Sequence, residues 1–202
     1  MTPERPGAPP ATACIPRCAE AERGYDVAQV DDFLAAVHAA LQDAPHGPGP
    51  EYGSGTVLST QVRAAVFAGA RGGYRPEAVD EVLDAAEESL AAAERERCLR
   101  ARGPDAWQQH LDALTRLLRN RLDRPRTQRF RRPSRPRAQG YSAAHVDVLC
   151  ERLGARLTDA APLEPAELRR AVFPPAQGER SYEEQQVDAF LDRAVQLLLA
   201  SR

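Results

Sequence analysis

Lysine is absent from this chain: all 27 basic residues are arginine. Methionine and tryptophan occur once each, asparagine once at Asn120, and aromatic residues make up only 5% of the sequence. With abundant alanine and proline, this profile matches coding bias in a GC-rich genome, which explains the arginine excess without a functional cause. The formal net charge is −2, so no global field draws the chain to nucleic acid or membrane. No run approaches the ~18 apolar residues of a membrane span. The opening MTPERPGAPPATA carries no apolar h-region, so no signal peptide is expected and a cytoplasmic setting is. Leu, Ile, Val and Phe number 39 of 202 residues, just under the ~20% below which disorder becomes a concern. Balanced charge argues against disorder of the whole chain, so thin cores in several small clusters are expected.

Chemistry-bearing patterns are also scarce. The cysteines are Cys14, Cys18, Cys98 and Cys150. One C-x-x-x-C without a matching histidine pair is not a zinc signature, so no metal is assigned. Cys150 stands where the related segments below carry Leu34, Leu83 and Leu191, which makes it a small buried apolar residue. Histidines 38, 46, 110 and 145 have no base–nucleophile spacing, and His38 and His145 are expected on helix surfaces. No phosphate loop, dinucleotide glycine motif or nucleophile elbow occurs. No catalytic residue and no cofactor are assigned.

What the chain does have is repetition. Tyrosine, then valine five residues on, aspartate six on and a large apolar residue eight on recur four times. They read Tyr25–Val30–Asp31–Phe33, Tyr74–Val79–Asp80–Val82, Tyr141–Val146–Asp147–Leu149 and Tyr182–Val187–Asp188–Phe190. Repeats decide the architecture first, and four copies of one motif weaken the case for an enzyme. The expected fold is all-α: tandem units, each a short helix, a Gly-Tyr loop and an amphipathic helix, forming small bundles or short coiled coils.

The boundaries follow from composition. Residues 1–11 are proline-rich and expected to be disordered. Unit one covers 12–44, a Pro/Gly linker 45–56 and unit two 57–102. A connecting amphipathic helix spans 103–122, with Gln108 in capping-box position and Trp107, Leu111, Leu114, Leu118 and Leu122 on one face. An Arg/Pro linker follows at 123–138, then unit three at 139–158 and unit four at 159–202. The long middle interval between tyrosines suggests two pairs, one-with-two and three-with-four, or one merged bundle.

The spacing has a local reading. Asp26 and Ser142 suit the N-cap, Asp26 with Gln29 three residues on; Pro76 suits a first helical turn, and Ser181 with Glu184 offers a cap in unit four. Each tyrosine then precedes the cap and its valine lies in the second turn, the two places of a hydrophobic staple. Gly24, Gly73 and Gly140 allow a tight bend before the tyrosine. Beyond it, a stripe such as Val30, Phe33, Leu34, Val37 and Leu41, or Val79, Val82, Leu83, Ala86 and Leu90, continues on one face. Unit four repeats it with Val187, Phe190, Leu191, Ala194 and Leu198. Upstream, Val62–Phe67 echoes Leu168–Phe173, a short helix starting near Ser59 or Pro165 and folding through Phe67 or Phe173 onto the start of the main helix. The aspartates lie off the stripe. Asp80 either pairs with Arg63, and Asp188 with Arg169, or each is a solvated surface acid.

The string Arg23-Gly24-Tyr25-Asp26-Val27-Ala28-Gln29-Val30-Asp31-Asp32-Phe33-Leu34 resembles the N-terminal signature of the DivIVA family, bacterial cell-division and polar-growth scaffolds, here in tandem and of the actinobacterial type. Units one and four carry the resemblance best, unit two moderately and unit three weakly. It implies a non-enzymatic, helical scaffold or adaptor acting through helix–helix contacts with itself or with division and envelope-growth proteins, at septum or pole. Family members pair parallel helices between chains, extend into a long coiled coil, and bind membrane through an exposed Phe and Arg before Gly-Tyr. Here the Phe place holds Glu22, Arg71, Ala138 and Glu179, arginine persists as Arg23 and Arg180, and no long heptad run follows any unit. Without an apolar wedge, membrane insertion has little support.

One charged segment stands apart. Arg119, Arg121, Arg124, Arg126, Arg129, Arg131, Arg132, Arg135 and Arg137 lie within 119–137 against the single acid Asp123. This reads either as a contact for anionic lipid or nucleic-acid phosphate, or as a solvated linker.

Overall fold

The computed structural model describes residues 15–42, 57–135 and 138–202; the expectations for residues 1–11 and for the 45–56 linker lie outside them. The chain divides into two compact modules, Met1–Ala106 and Trp107–Arg202. The first is built from β1 (Arg23–Tyr25), α1 (Val27–Gln42), α2 (Ser59–Arg63), β2 (Gly69–Arg71) and α3 (Pro76–Arg102). α4 (Pro104–Leu122) crosses the boundary. The second continues with β3 (Gln139–Ser142), α5 (Ala143–Asp159), α6 (Pro165–Arg169), β4 (Pro175–Gln177), a 3₁₀ turn at Gly178–Arg180, β5 (Ser181–Tyr182) and α7 (Glu184–Ala200). Helices dominate, but all-α is too simple. Each module also holds a small antiparallel sheet, β1–β2 in the first and β4–β3–β5 in the second, because the chain before each main helix runs extended alongside its counterpart.

Helix starts follow local chemistry. The Asp26 carboxylate accepts the Gln29 N–H at 3.0 Å, capping α1. The reciprocal half of the box is missing, since the Gln29 side chain instead accepts the Ala68 N–H at 2.9 Å. α3 begins at Pro76 with no side-chain cap from Arg75, as suits a proline in the first turn. α7 begins after Glu183 rather than at Ser181, whose hydroxyl donates to the Gly178 carbonyl at 2.9 Å. On α4 the Gln108 amide donates to Asp112 at 2.9 Å, one turn along, instead of closing a box.

In the first module, Val30, Leu34, Tyr74 and Val79 form one buried cluster, and Val37, Ala40, Val62, Ala86 and Leu90 form the next. Early residues of α1 thus meet early residues of α3, and late meet late. The two helices run parallel from a common origin and close a core along their shared stripe. The short helix α2 does not fold onto the start of α3. Ser59 donates from its N–H and its hydroxyl to the Glu94 carboxylate at 2.7 and 3.0 Å, far along α3. α2 then leads the chain back toward the origin. α6 repeats the arrangement, with Glu164 at its N-cap paired to Arg202 at 2.6 Å near the end of α7. Both short helices open with the same half-box: Leu58 N–H to Gln61 at 2.8 Å and Glu164 N–H to Glu167 at 3.1 Å.

Candidate functional site

The site is the crossing from which the main helices spring. In the first module Tyr25 and Tyr74 exchange backbone hydrogen bonds, each N–H donating to the other's carbonyl at 2.9 Å. In the second, Tyr141 pairs with Tyr182 in antiparallel register. Two backbones touch here, and that explains the glycines. A Cβ on Gly24 would lie 2.2 Å from the Tyr74 oxygen, one on Gly73 2.3 Å from the Tyr25 oxygen, and one on Gly140 2.1 Å from the Tyr182 oxygen. The expected bend is not their reason, since none of the three has a positive φ. Close approach is.

The repeated tyrosine and aspartate find each other across the crossing. The Tyr74 hydroxyl donates to Asp31 at 3.1 Å, and in the second module the Tyr182 hydroxyl donates to Asp147 at 3.1 Å. Asp80 and Asp188 lie close enough to Tyr25 and Tyr141 to raise those hydroxyls. Each motif aspartate thus sits beside the other unit's tyrosine. Burial, with Asp80 and Glu77 adding to it, raises the Tyr25 hydroxyl. Burial, Asp84 and Glu77 raise the Asp80 carboxyl, and Tyr25 opposes that rise.

An apolar residue upstream of each unit backs the other unit's tyrosine. Phe67 packs on Tyr25 with ring centroids 5.6 Å apart and on Phe33 at 5.7 Å. Phe173 packs on Tyr141 at 5.2 Å. Phe130 lies between Tyr182 at 5.1 Å and Phe190 at 5.2 Å. Ile15 joins the cluster around Tyr74. The backbone repeats as well: Arg75 N–H bonds to Pro16, Asp26 to Ala68, Glu183 to Arg131 and Ser142 to Pro174. All four units therefore carry an extended strap. Sequence reasoning singled out Val62–Phe67 and Leu168–Phe173 in units two and four, read as a short helix ending in Phe, and had no counterpart in units one and three.

This places part of the Arg/Pro segment inside the second module. Arg129 is 8% exposed. Its guanidinium bonds to the Asp147 carboxylate at 3.1 Å and its N–H to the Tyr182 hydroxyl at 3.2 Å. Thr127, at φ 62, turns its N–H onto the same carboxylate at 2.7 Å. Arg119 reaches the Leu157 carbonyl at 3.0 Å, and Arg121 reaches the Arg129 carbonyl at 3.0 Å while covering the Phe130 ring. Arg126 pairs with Glu151, Arg131 with Glu183 at 2.6 Å, and Arg132 with the Ser181 and Thr127 carbonyls at 3.2 and 3.0 Å. Arg124 and Arg135 are exposed, and Arg137 lies outside the described residues. The segment is thus built into the module rather than a free linker.

Burial pushes the Tyr182 hydroxyl up to about 12, Asp147 adding to the rise and the Arg129 N–H opposing it. Burial likewise pushes the Cys150 thiol up to about 12. Both groups keep a proton that the unfolded chain gives up near pH ~9–10. Between those values and about 12 the native state binds more protons, so stability falls as pH rises. The contribution is whole below pH ~9 and is lost toward pH 12. The thermal midpoint of the second module should be level from pH 8 to ~9 and then fall, and Tyr182→Phe with Cys150→Ala should flatten that fall.

His38 and His145 are exposed on their helices, and Cys150 is 3% exposed. Among the described residues no group of three His, Cys, Asp or Glu side chains could hold a metal, and no helix is long and apolar enough to cross a membrane. The arrangement can join two helical units and hold their stripes in register. Comparison with family models, with curated proteins and with solved structures returns no match.

Proposed function

We propose that this chain is a non-enzymatic helical adaptor of DivIVA type, in which two units clasp within one chain where the resemblance implies pairing between chains. The observation that carries the reading is the crossing, with Tyr74 on Asp31 and Tyr182 on Asp147, and in the first module two stripes that share a core below it. A clasp that fixes two parallel helices is the working part of a scaffold, and four copies suit a structural role better than a catalytic one. The adaptor acts in the cytoplasm, at septum or pole, through protein partners. The competing reading, an anionic-lipid or nucleic-acid contact through 119–137, has less support, because Arg119, Arg121, Arg126, Arg129, Arg131 and Arg132 already hold internal partners.

Imaging the tagged protein in its native cell tests the adaptor. A band at septum or pole, together with division or envelope-growth proteins in a pull-down, supports it. Uniform signal with no captured partner overturns it. Liposome and DNA binding at two salt concentrations tests the competing reading, which requires strong salt-dependent binding.

A further inference from the structure

Each module has its own crossing, but the two differ at one sheet edge, and the difference is a matched pair. In the first module Asp26 N–H donates to the Ala68 carbonyl at 2.8 Å and Gly72 N–H to the Glu22 carbonyl at 3.0 Å. Alternation along β2 then turns the N–H and C=O of Gly69 and Arg71 outward, away from β1. In the second module Ser142 N–H donates to Pro174 at 2.8 Å, so Pro175 and Gln177 of β4 turn outward. The register aligns the two edges residue by residue: Tyr25 faces Gly69 where Tyr141 faces Pro175, and Arg23 faces Arg71 where Gln139 faces Gln177. Proline at the outward place removes the donor an incoming strand would use, the usual protection of an exposed edge. β4 has that protection. β2 carries glycine there, with only the Gly24 oxygen, at 4.0 Å, near the place of a Cβ.

The charges differ in the same sense. Arg23 and Arg71 lie directly opposite each other and both are exposed. Like charges in that position oppose the pairing of their own strands. Nothing in the folding of the module calls for them, since the second module closes the same ribbon with two glutamines.

We propose that the outer edge of β2 receives an extended acidic peptide of a partner protein as an added strand, with carboxylates on the face shared by Arg23 and Arg71. Backbone groups of Gly69 and Arg71 supply the ladder, and the two guanidinium groups select the acidic side chains. A lipid surface fits less well. It offers no strand to the outward-turned backbone groups. This deepens the adaptor reading and rests on it, by giving the adaptor one kind of partner. It can fail while septal localisation stands, because the test below is made on purified protein.

The test is an amide NMR titration of the full chain with an acetylated eight-residue peptide of alternating threonine and glutamate. A threonine–lysine peptide of the same pattern is the control. The glutamate peptide should shift the amides of Gly69, Ala70 and Arg71 and slow hydrogen exchange there, while the lysine peptide should not. Gly69→Pro, which copies the second module, should weaken binding at least tenfold. Arg23→Gln with Arg71→Gln, the second module's own residues, should do the same and covers the case in which the proline variant misfolds. Absence of shifts at these amides at millimolar peptide overturns the proposal, as does unchanged binding in Gly69→Pro. Phosphatidylglycerol vesicles that recruit wild type and Gly69→Pro equally, but not the double glutamine variant, would also overturn it in favour of a surface anion contact.

Discussion

Gly73→Ala is expected to destabilise the first module by about 3–5 kcal/mol. The new methyl would stand 2.3 Å from the Tyr25 oxygen and 2.9 Å from the Gly24 and Tyr25 carbonyl carbons. These are backbone atoms, so no side chain can rotate aside. The strands must part, which costs the ~1–3 kcal/mol of an overpacked site and the two exchanged Tyr25–Tyr74 bonds at about 1 kcal/mol each. For a module of this size the thermal midpoint should fall by roughly 12 °C or more. Two other glycines serve as controls. Gly72 has φ 61 but only the Glu20 Cα near it, at 3.8 Å, so alanine there meets only the left-handed backbone penalty of about 1–2 kcal/mol. Gly154 lies inside α5 with nothing within 4 Å, so alanine there should stabilise by up to about 1 kcal/mol. Calorimetry on the three variants should give that order. A Gly73→Ala midpoint no lower than that of Gly72→Ala would mean that the crossing is looser than its geometry.

How much of this could be read in the sequence depends on whether the signal is local. The spacing of Tyr25, Val30 and Phe33 gives the helix and its buried face, because helical periodicity is written within a few residues. The start of α3 at Pro76 and the burial of Cys150 follow in the same way. Partners across the crossing do not. Asp31 and Tyr74 lie 43 residues apart, and nothing in the spacing of one repeat marks the tyrosine of another as the partner of its aspartate. The glycines show the same limit. Their bend reading is local, while their real cause is a second backbone supplied from another unit. The straps of units one and three were hidden by variable loop length, because Ile15 and Phe130 precede their tyrosines by different intervals from Phe67 and Phe173. Phe130 was the available signal: one aromatic ring inside an arginine-rich run has no reason to be there unless it is buried, and it is 3% exposed.

Asp147→Ala should be the most damaging side-chain truncation in the second module, at about 3–5 kcal/mol. The carboxylate is 2% exposed and serves Arg129, Tyr182 and the Thr127 N–H at once. Its loss leaves a guanidinium that is itself 9% exposed with Glu151 at 3.8 Å as its remaining carboxylate, and a buried charge that loses its nearer partner costs more than the pair contributes. The equivalent truncation in the first module, Asp31→Ala, removes one described hydroxyl bond of 3.1 Å at a half-buried place and should cost about 1 kcal/mol. Urea unfolding of the two variants measures the difference, and equal losses would remove the buried pair from the account. Arg129→Leu combined with Asp147→Leu should recover most of the stability, because an apolar pair of similar bulk avoids the desolvation cost of both ions. The Tyr182 hydroxyl and the Thr127 N–H would then lack their acceptor, so recovery should stop short of wild type, and adding Tyr182→Phe should lower stability further because the backbone N–H of residue 129 loses the hydroxyl it donates to. That pattern separates the ion pair from the tyrosine. It would show that the motif aspartate of unit three holds the two units together through the hydroxyl it receives.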